Sequence, residues 1–273
     1  HRCEVASFIG TLQATYSDMP YLGVTTAKIH ERDRLLGVGI TGVMDNPGVC
    51  LDSMTLLRGA EKVRAVNKLV SQMLGINTAA RCTTIKPSGT ASLELGCVSS
   101  GIHPQHSRRY FRRVTANRNE QALKVMQEKN PHAVEKKPNG DYSIVFPVEA
   151  PDKAVTRKEI SGKEMVWNVV DMFRYWVMPG RERGLLNHNV SCTVTVGVDE
   201  DISDIMKLVW NQQGSLAAMS FAPMMLDKGV PFIPLETVTP EDEGRWAKLV
   251  SSWVDIDFSI LSGSADVKAV AAC

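Results

Sequence analysis

No stretch of this chain approaches the roughly 18 uninterrupted apolar residues of a membrane-spanning helix, which argues against a helical membrane protein. There is no excess of one charge: 31 Lys and Arg face 30 Asp and Glu, leaving a net charge of +1. That balance excludes a protein built mainly to coat nucleic acid, which needs a strong basic excess. Six cysteines occur and no two form a C-x-x-C pair. Their scatter fits neither a disulfide scaffold nor a zinc site and points to a reducing cytoplasm. The opening HRCEVASFIG lacks a signal-peptide layout. Internal repeats and the phosphate loop G-x-x-x-x-G-K-[ST] are also missing. Position 1 is not Met, and the chain closes on Cys273, so both ends are expected to be cuts through a longer protein.

What is present is an ordinary globular composition, 44% apolar and 22% charged. Apolar spacing predicts a helix over 4–16 and a long amphipathic helix over 53–74, capped by Asp52 or Ser53 and closed by Gly75. Between them, Gly37, Gly39 and Gly42 match a dinucleotide fingerprint, G-x-G-x-x-G. They follow the charged HERDR rather than a strand, so close helix packing and turn geometry are expected instead. Strand, turn and helix should follow over 81–96, then a short basic strand in 99–114. A helix is expected over 117–129, a hairpin turning at Asn139-Gly140, and a helix carrying Trp167 and Trp176 that stops at Pro179-Gly180. The alternation of NHNVSCTVTVGV predicts a strand over 187–198, with a helix to about Gln213, a strand over 216–221 and a last helix from Thr239 to Val254. Alternating strands and helices favour an α/β layered or barrel fold.

The stretch TTIKPSGTASLELG, 83–96, carries the chemistry. A β-branched run meets Pro87, and then Ser88, Gly89, Thr90, Ala91 and Ser92 offer hydroxyls, backbone N–H groups and little bulk. A helix starting near Thr90 would aim free N–H groups at an anion in the turn, and Lys86 adds a point charge. From the residues alone, a phosphate cradle and a plainly capped helix both fit.

KPSGTASLELG followed by SSGIHPQHSRRYFRRV resembles the C-terminal half of the catalytic barrel of ribonucleotide reductases. It is most similar to the adenosylcobalamin-dependent (class II) triphosphate reductases often carried by phages. RDRLLGVGITGVMDNPG, NHNVSCTVTV, and LAAMSFAP ahead of PFIPLETVTPEDEGRW agree in the same order. The resemblance implies a ten-stranded α/β barrel of the ribonucleotide reductase and glycyl radical enzyme type. It would occupy residues 1–254, with a flexible C-terminal tail over 255–273. It also implies thiyl-radical reduction of ribonucleoside triphosphates for DNA replication. Adenosylcobalamin would be the cofactor, and thioredoxin or a similar dithiol the reductant. Lys86, Pro87, Ser88, Gly89, Thr90, Ala91 and Ser92 would hold the substrate phosphates. Cys273 would be the first of a C-terminal cysteine pair carrying reducing equivalents to the catalytic site.

The family's finger-loop pattern, asparagine–proline–cysteine–x–glutamate, is not in the sequence; Asn46-Pro47-Gly48-Val49-Cys50 has the wrong spacing and no glutamate. The chain is therefore expected to be incomplete and inactive alone, with an N-terminal remainder as partner. A non-catalytic nucleotide-binding or interaction module is the alternative. A class I large subunit is disfavoured because no two tyrosines are adjacent. Cys50, Cys82, Cys97 and Cys192 read as small buried apolar residues. His103 and His106 lack a third ligand for a metal. Arg108, Arg109, Arg112 and Arg113 are expected on a barrel strand, in ion pairs near the phosphate site.

Overall fold

The structure, a computed structural model, describes residues 1–225 and 230–258. Cys273 and residues 259–273 of the expected tail lie outside the described residues. The chain begins with helices α1 (Arg2–Gln13), α2 (Val24–Asp33), α3 (Pro47–Cys50), α4 (Ser53–Leu74) and α5 (Ala91–Glu94). Next come β1 (Arg109–Ala116), α6 (Gln121–Lys129), β2 (Val134–Lys136), β3 (Tyr142–Glu149) and α7 (Gly162–Met172). It continues through β4 (Ser191–Val196), α8 (Ile202–Asn211), β5 (Ala218–Pro223), β6 (Leu235–Thr237) and α9 (Glu243–Ser251). The described residues form two compact units, one from 1–105 and 151–224, the other from 106–150, 225 and 230–258. None of the described helices is long and apolar enough to cross a membrane.

The first unit is built on a run of parallel neighbours. Val38 pairs with Thr83, Ile85 with Val190, and β4 with β5 from Ser191↔Ala218 to Val196↔Pro223, all parallel. Helix α4 lies between the first two segments in sequence, α7 between the second and third, and α8 between β4 and β5. This is the strand–helix alternation expected of an α/β layer. Of the ten expected barrel strands, four neighbours in such a run are seen among the described residues. The glycine block at 35–42 departs from the expected helix packing. Residues 36–38 are extended and bond to the 81–84 segment, through Leu36 N–H to the Arg81 carbonyl (3.1 Å) and Thr84 N–H to the Val38 carbonyl (3.0 Å). Only Gly42, at φ +73°, serves the expected turn.

Helix α4 starts where Asp52 accepts the Thr55 N–H at 2.8 Å and ends at Gly75, φ +67°. Its buried side, Leu56, Ala60, Val63, Asn67 and Val70, faces α1 through a polar seam. Ser7 Oγ donates to the Val63 carbonyl (2.7 Å), and Asn67 Nδ2 donates to Thr11 Oγ1 (3.0 Å). Asn67 Oδ1 accepts the Ala79 N–H (2.9 Å). A buried network of this kind is tolerable because its members are partnered. Helix α1 is consequently turned the unexpected way: Ser7 and Thr11 are buried, whereas Val5, Phe8, Ile9 and Leu12 are 39–51% exposed.

The second unit has its own core, centred on Phe111, Leu123, Met126, Val145 and Trp246. Its sheet runs β2-β3-β1-β6, every pair antiparallel, with the Asn139-Gly140 hairpin as predicted. The basic segment around β1 therefore lies in an antiparallel sheet and not on a parallel barrel strand, because its two neighbours, β3 and β6, both run antiparallel to it. Two of its arginines form ion pairs, Arg109 with Glu243 and Arg113 with Glu135 and Glu236, but all these partners belong to the second unit, whereas the turn at 87–92, near which the pairs were expected, belongs to the first. Arg113 is only 8% exposed, and two carboxylates compensate its burial.

Candidate functional site

The turn at 87–92 leaves the C-terminal end of the 81–85 segment, as the sequence predicts, and leads into the single turn of α5 behind Thr90. Ser88 takes the left-handed conformation, φ +53°, so the residue in special geometry is the serine and not Gly89. Among the described residues, the backbone N–H groups of Ser88, Gly89, Thr90 and Ala91 donate to no protein acceptor. A Cβ placed on Gly89 would meet no atom within 4 Å. Four successive unused donors thus border open space. Lys86 is exposed, and no carboxylate among the described residues pairs with it. Lys86 to Ala91 are exposed or half-buried, whereas Ser92 is buried. Only 1% exposed, Ser92 turns its hydroxyl to the Gly89 carbonyl (3.1 Å) and to Ser100 Oγ (3.0 Å).

The turn rests on residues that the sequence reading passed over. Gly101, φ +57°, lies so close beneath it that a Cβ there would be 2.2 Å from the Lys86 carbonyl oxygen. Gly101 N–H donates to Thr41 Oγ1 (2.9 Å), whose hydroxyl donates to the Ser99 carbonyl (3.0 Å). Asp45 clamps the same loop, accepting Ser99 N–H at 3.0 Å and Gln105 Nε2–H at 2.8 Å. The only signal available was SSG after the turn, since small residues and a glycine permit such an approach.

Beside the turn is a cleft of about 430 Å³ lined by Pro87, His103, Ser191, Cys192, Thr193 and residues 217–220. His103 Nε2 accepts the Thr193 N–H at 2.9 Å, so that nitrogen is bare. Nδ1 then carries the proton and donates to the Ser100 carbonyl at 2.8 Å. His103 is thus a strut between the turn's supporting loop and β4, in keeping with the packing role expected of it. No group of three or more His, Cys, Asp or Glu among the described residues can hold a metal ion.

Of the cysteines expected to be buried, Cys82 and Cys192 are, and burial pushes each thiol up to about 12. Cys50 is half-buried with its thiol raised, again chiefly by burial. Cys97, also half-buried, occupies a left-handed position, φ +59°, which the sequence did not suggest. At pH 8 the thiolate fraction of Cys192 should be on the order of one in ten thousand. Iodoacetamide should therefore leave it unmodified in the folded chain and label it after unfolding, as read by peptide mass spectrometry. Labelling of folded chain at the rate of a free thiol would contradict that environment.

No family model matches the chain. It is 26% identical over 217 residues to the adenosylcobalamin-dependent ribonucleoside-triphosphate reductase of Euglena gracilis, covering 77% of this chain and 28% of that protein. A probable enzyme of the same name from Dictyostelium discoideum is 22% identical over 245 residues, with coverage of 88% and 31%. The chain thus spans less than a third of the length of these curated relatives. The crystal structure of a B-12 dependent (class II) ribonucleotide reductase superposes with a TM-score of 0.74 at 18% identity, covering 96% of this chain and 40% of that one. The class Id ribonucleotide reductase alpha subunit of Actinobacillus ureae gives 0.52 at 15% identity, with coverage of 81% and 46%. The curated relatives and the B-12 dependent structure agree with the class II resemblance carried by the motifs, and the two superpositions together show a ribonucleotide reductase fold.

Proposed function

We propose that this chain is the substrate-phosphate portion of a class II ribonucleotide reductase, acting on ribonucleoside triphosphates. The observation that carries the reading is the row of four unused N–H groups at 88–91, with Lys86 unpaired beside them and open space over Gly89. Each N–H to an ionised oxygen contributes roughly 1.5–3 kcal/mol, so several together hold a phosphate group. The cleft lined by Ser191, Thr193 and Ser220 adjoins this row and has room for the sugar and its hydroxyls.

In the complete enzyme, adenosylcobalamin supplies the radical when bound. No residue of this chain is assigned to holding it. The radical thiol and the general base belong to a further part carrying the finger loop, and Cys273 passes reducing equivalents from a thioredoxin-type dithiol by thiol–disulfide exchange. The row Val5, Phe8, Ile9 and Leu12, exposed on α1, supports a surface that this further part covers. Residues 1–254 are read as the catalytic portion, its barrel run lying in the first unit, and 255–273 as tail.

The test is reduction itself. The intact protein containing this segment, given adenosylcobalamin and a dithiol, should convert a ribonucleoside triphosphate to its 2′-deoxy product, and residues 1–273 alone should not. Turnover by 1–273 alone would place the radical thiol within this chain and defeat the assignment.

A further inference from the structure

A second cleft, lined by arginines, lies at the other end of the segment that leads into the phosphate turn. It encloses about 300 Å³ and is lined by Arg32, Asp33, Ala80, Arg81, Arg183 and the 184–186 loop. Five residue steps along extended chain separate Arg81 from Lys86, roughly 16 Å at strand spacing, so the cleft is distinct from the turn.

Three arginines face one carboxylate here, and they are not equivalent. Arg32 is forked onto Asp33, Nε to Oδ1 at 2.8 Å and Nη2 to Oδ2 at 2.9 Å. Arg183 donates to the Thr78 carbonyl at 2.5 Å and to the Arg32 carbonyl. Arg81 has neither arrangement. Its Nε is buried without a partner, and no ion pair among the described residues joins its guanidinium. Arg32 bonded to Asp33 holds that carboxyl below its ordinary range, with smaller pulls from Arg81 and Arg183, so the one acid is already committed. Holding three guanidiniums together with one spare is unfavourable unless an anion joins them.

The cleft wall is also built. Gly184, φ +79°, turns the loop, and Arg181 Nη1 donates to the Leu185 carbonyl at 3.0 Å. This leaves Leu185 and Leu186, 92% and 70% exposed, as an apolar lip beside the cations.

We propose that the Arg81 cleft binds a phosphate-bearing ligand, with the spare guanidinium as its anchor. The phosphate can arrive as free pyrophosphate or as the charged end of a nucleotide whose ring lies on the Leu185–Leu186 lip. The site is independent of the turn at 87–92, and the experiment keeps the two apart. In a Gly89→Glu chain, whose added carboxylate repels anions from the turn, calorimetric titration should still find one pyrophosphate site. Arg81→Met in that background should weaken it at least tenfold, and Arg81→Lys should fall between. Equal affinity for pyrophosphate and ATP assigns the site to the phosphate group alone. ATP binding at least tenfold tighter, with the excess lost in Leu185→Ser/Leu186→Ser, assigns it to a nucleotide. No binding in Gly89→Glu, or binding unchanged by Arg81→Met, overturns the proposal. Should Arg81→Met fail to fold, the Nε–H resonance of Arg81 in the Gly89→Glu chain decides. A shift on adding pyrophosphate supports the site, and a resonance that stays put while pyrophosphate binds overturns it.

Discussion

Gly89→Val should weaken ribonucleoside triphosphate binding by about a hundredfold or more while barely moving the unfolding temperature. The two halves of this result have separate causes. Nothing in the protein lies within 4 Å of a Cβ at Gly89, and the residue is not in the left-handed region, so the valine strains no backbone and displaces no neighbour. It does occupy the space above the free N–H groups of 88–91. Losing two charge-assisted hydrogen bonds, at roughly 1.5–3 kcal/mol each, corresponds to a hundredfold or more in affinity. Calorimetric titration beside a thermal melt checks both. A variant that binds as tightly as the parent would make the turn a helix cap and nothing more.

Gly101→Ala should do the reverse, damaging the fold first and binding with it. A Cβ at this position would sit 2.2 Å from the Lys86 carbonyl oxygen and 3.3 Å from the Pro87 carbonyl oxygen, at a backbone φ of +57° that alanine adopts with strain. Main-chain atoms cannot swing aside as a flexible side chain does, so the Lys86–Pro87 peptide must move. The same loop is clamped by Thr41 and Asp45, which limits how far Gly101 can retreat. Strain and steric displacement together should cost about 3 kcal/mol or more, lowering the unfolding temperature by roughly 6–12 °C. Nucleotide binding should fall as well, because the displaced peptide leads directly into the turn. A Gly101→Ala chain that melts and binds like the parent would refute the close approach.

These two glycines show how far the sequence could be read. Local signals were legible where chemistry is local. Asp52 and Gly75 delimit α4 by capping, Asn139-Gly140 turns the β2–β3 hairpin, and alternation marks β4. The turn at 87–92 was legible for the same reason. What the sequence hid depends on contacts far apart in the chain. Gly101 beneath Lys86, Asp45 clamping Ser99 and Gln105, and His103 bonding Thr193 carry no periodicity and no motif. The pairing of 36–38 with the 81–84 segment was masked by glycines that suit helix packing equally well. Helix α1 misleads in a different way. Its apolar spacing marks a helix correctly, yet the buried side is chosen by the Ser7–Thr11–Asn67 hydrogen bonds, which no hydropathy pattern reveals.

The basic stretch around β1 adds a related lesson. Its arginines were expected on a barrel strand, in ion pairs near the phosphate site. In the structure Arg109 and Arg113 are taken up by Glu243, Glu135 and Glu236, and Arg245 stacks over Phe111 at 4.4 Å from the ring centroid. Glu135 and Glu236 lie 22 and 123 positions away in sequence from Arg113, so composition alone could not pair them.

The central claim is that the backbone of residues 88–91 grips the phosphates of a nucleotide. It is tested most directly by following the amide resonances of the isotopically labelled chain during titration with a ribonucleoside triphosphate. The N–H signals of Ser88, Gly89, Thr90 and Ala91 should move downfield together and saturably, as donors to an ionised oxygen do. Nucleotide binding that leaves those four signals in place, or no binding at all, would contradict the account.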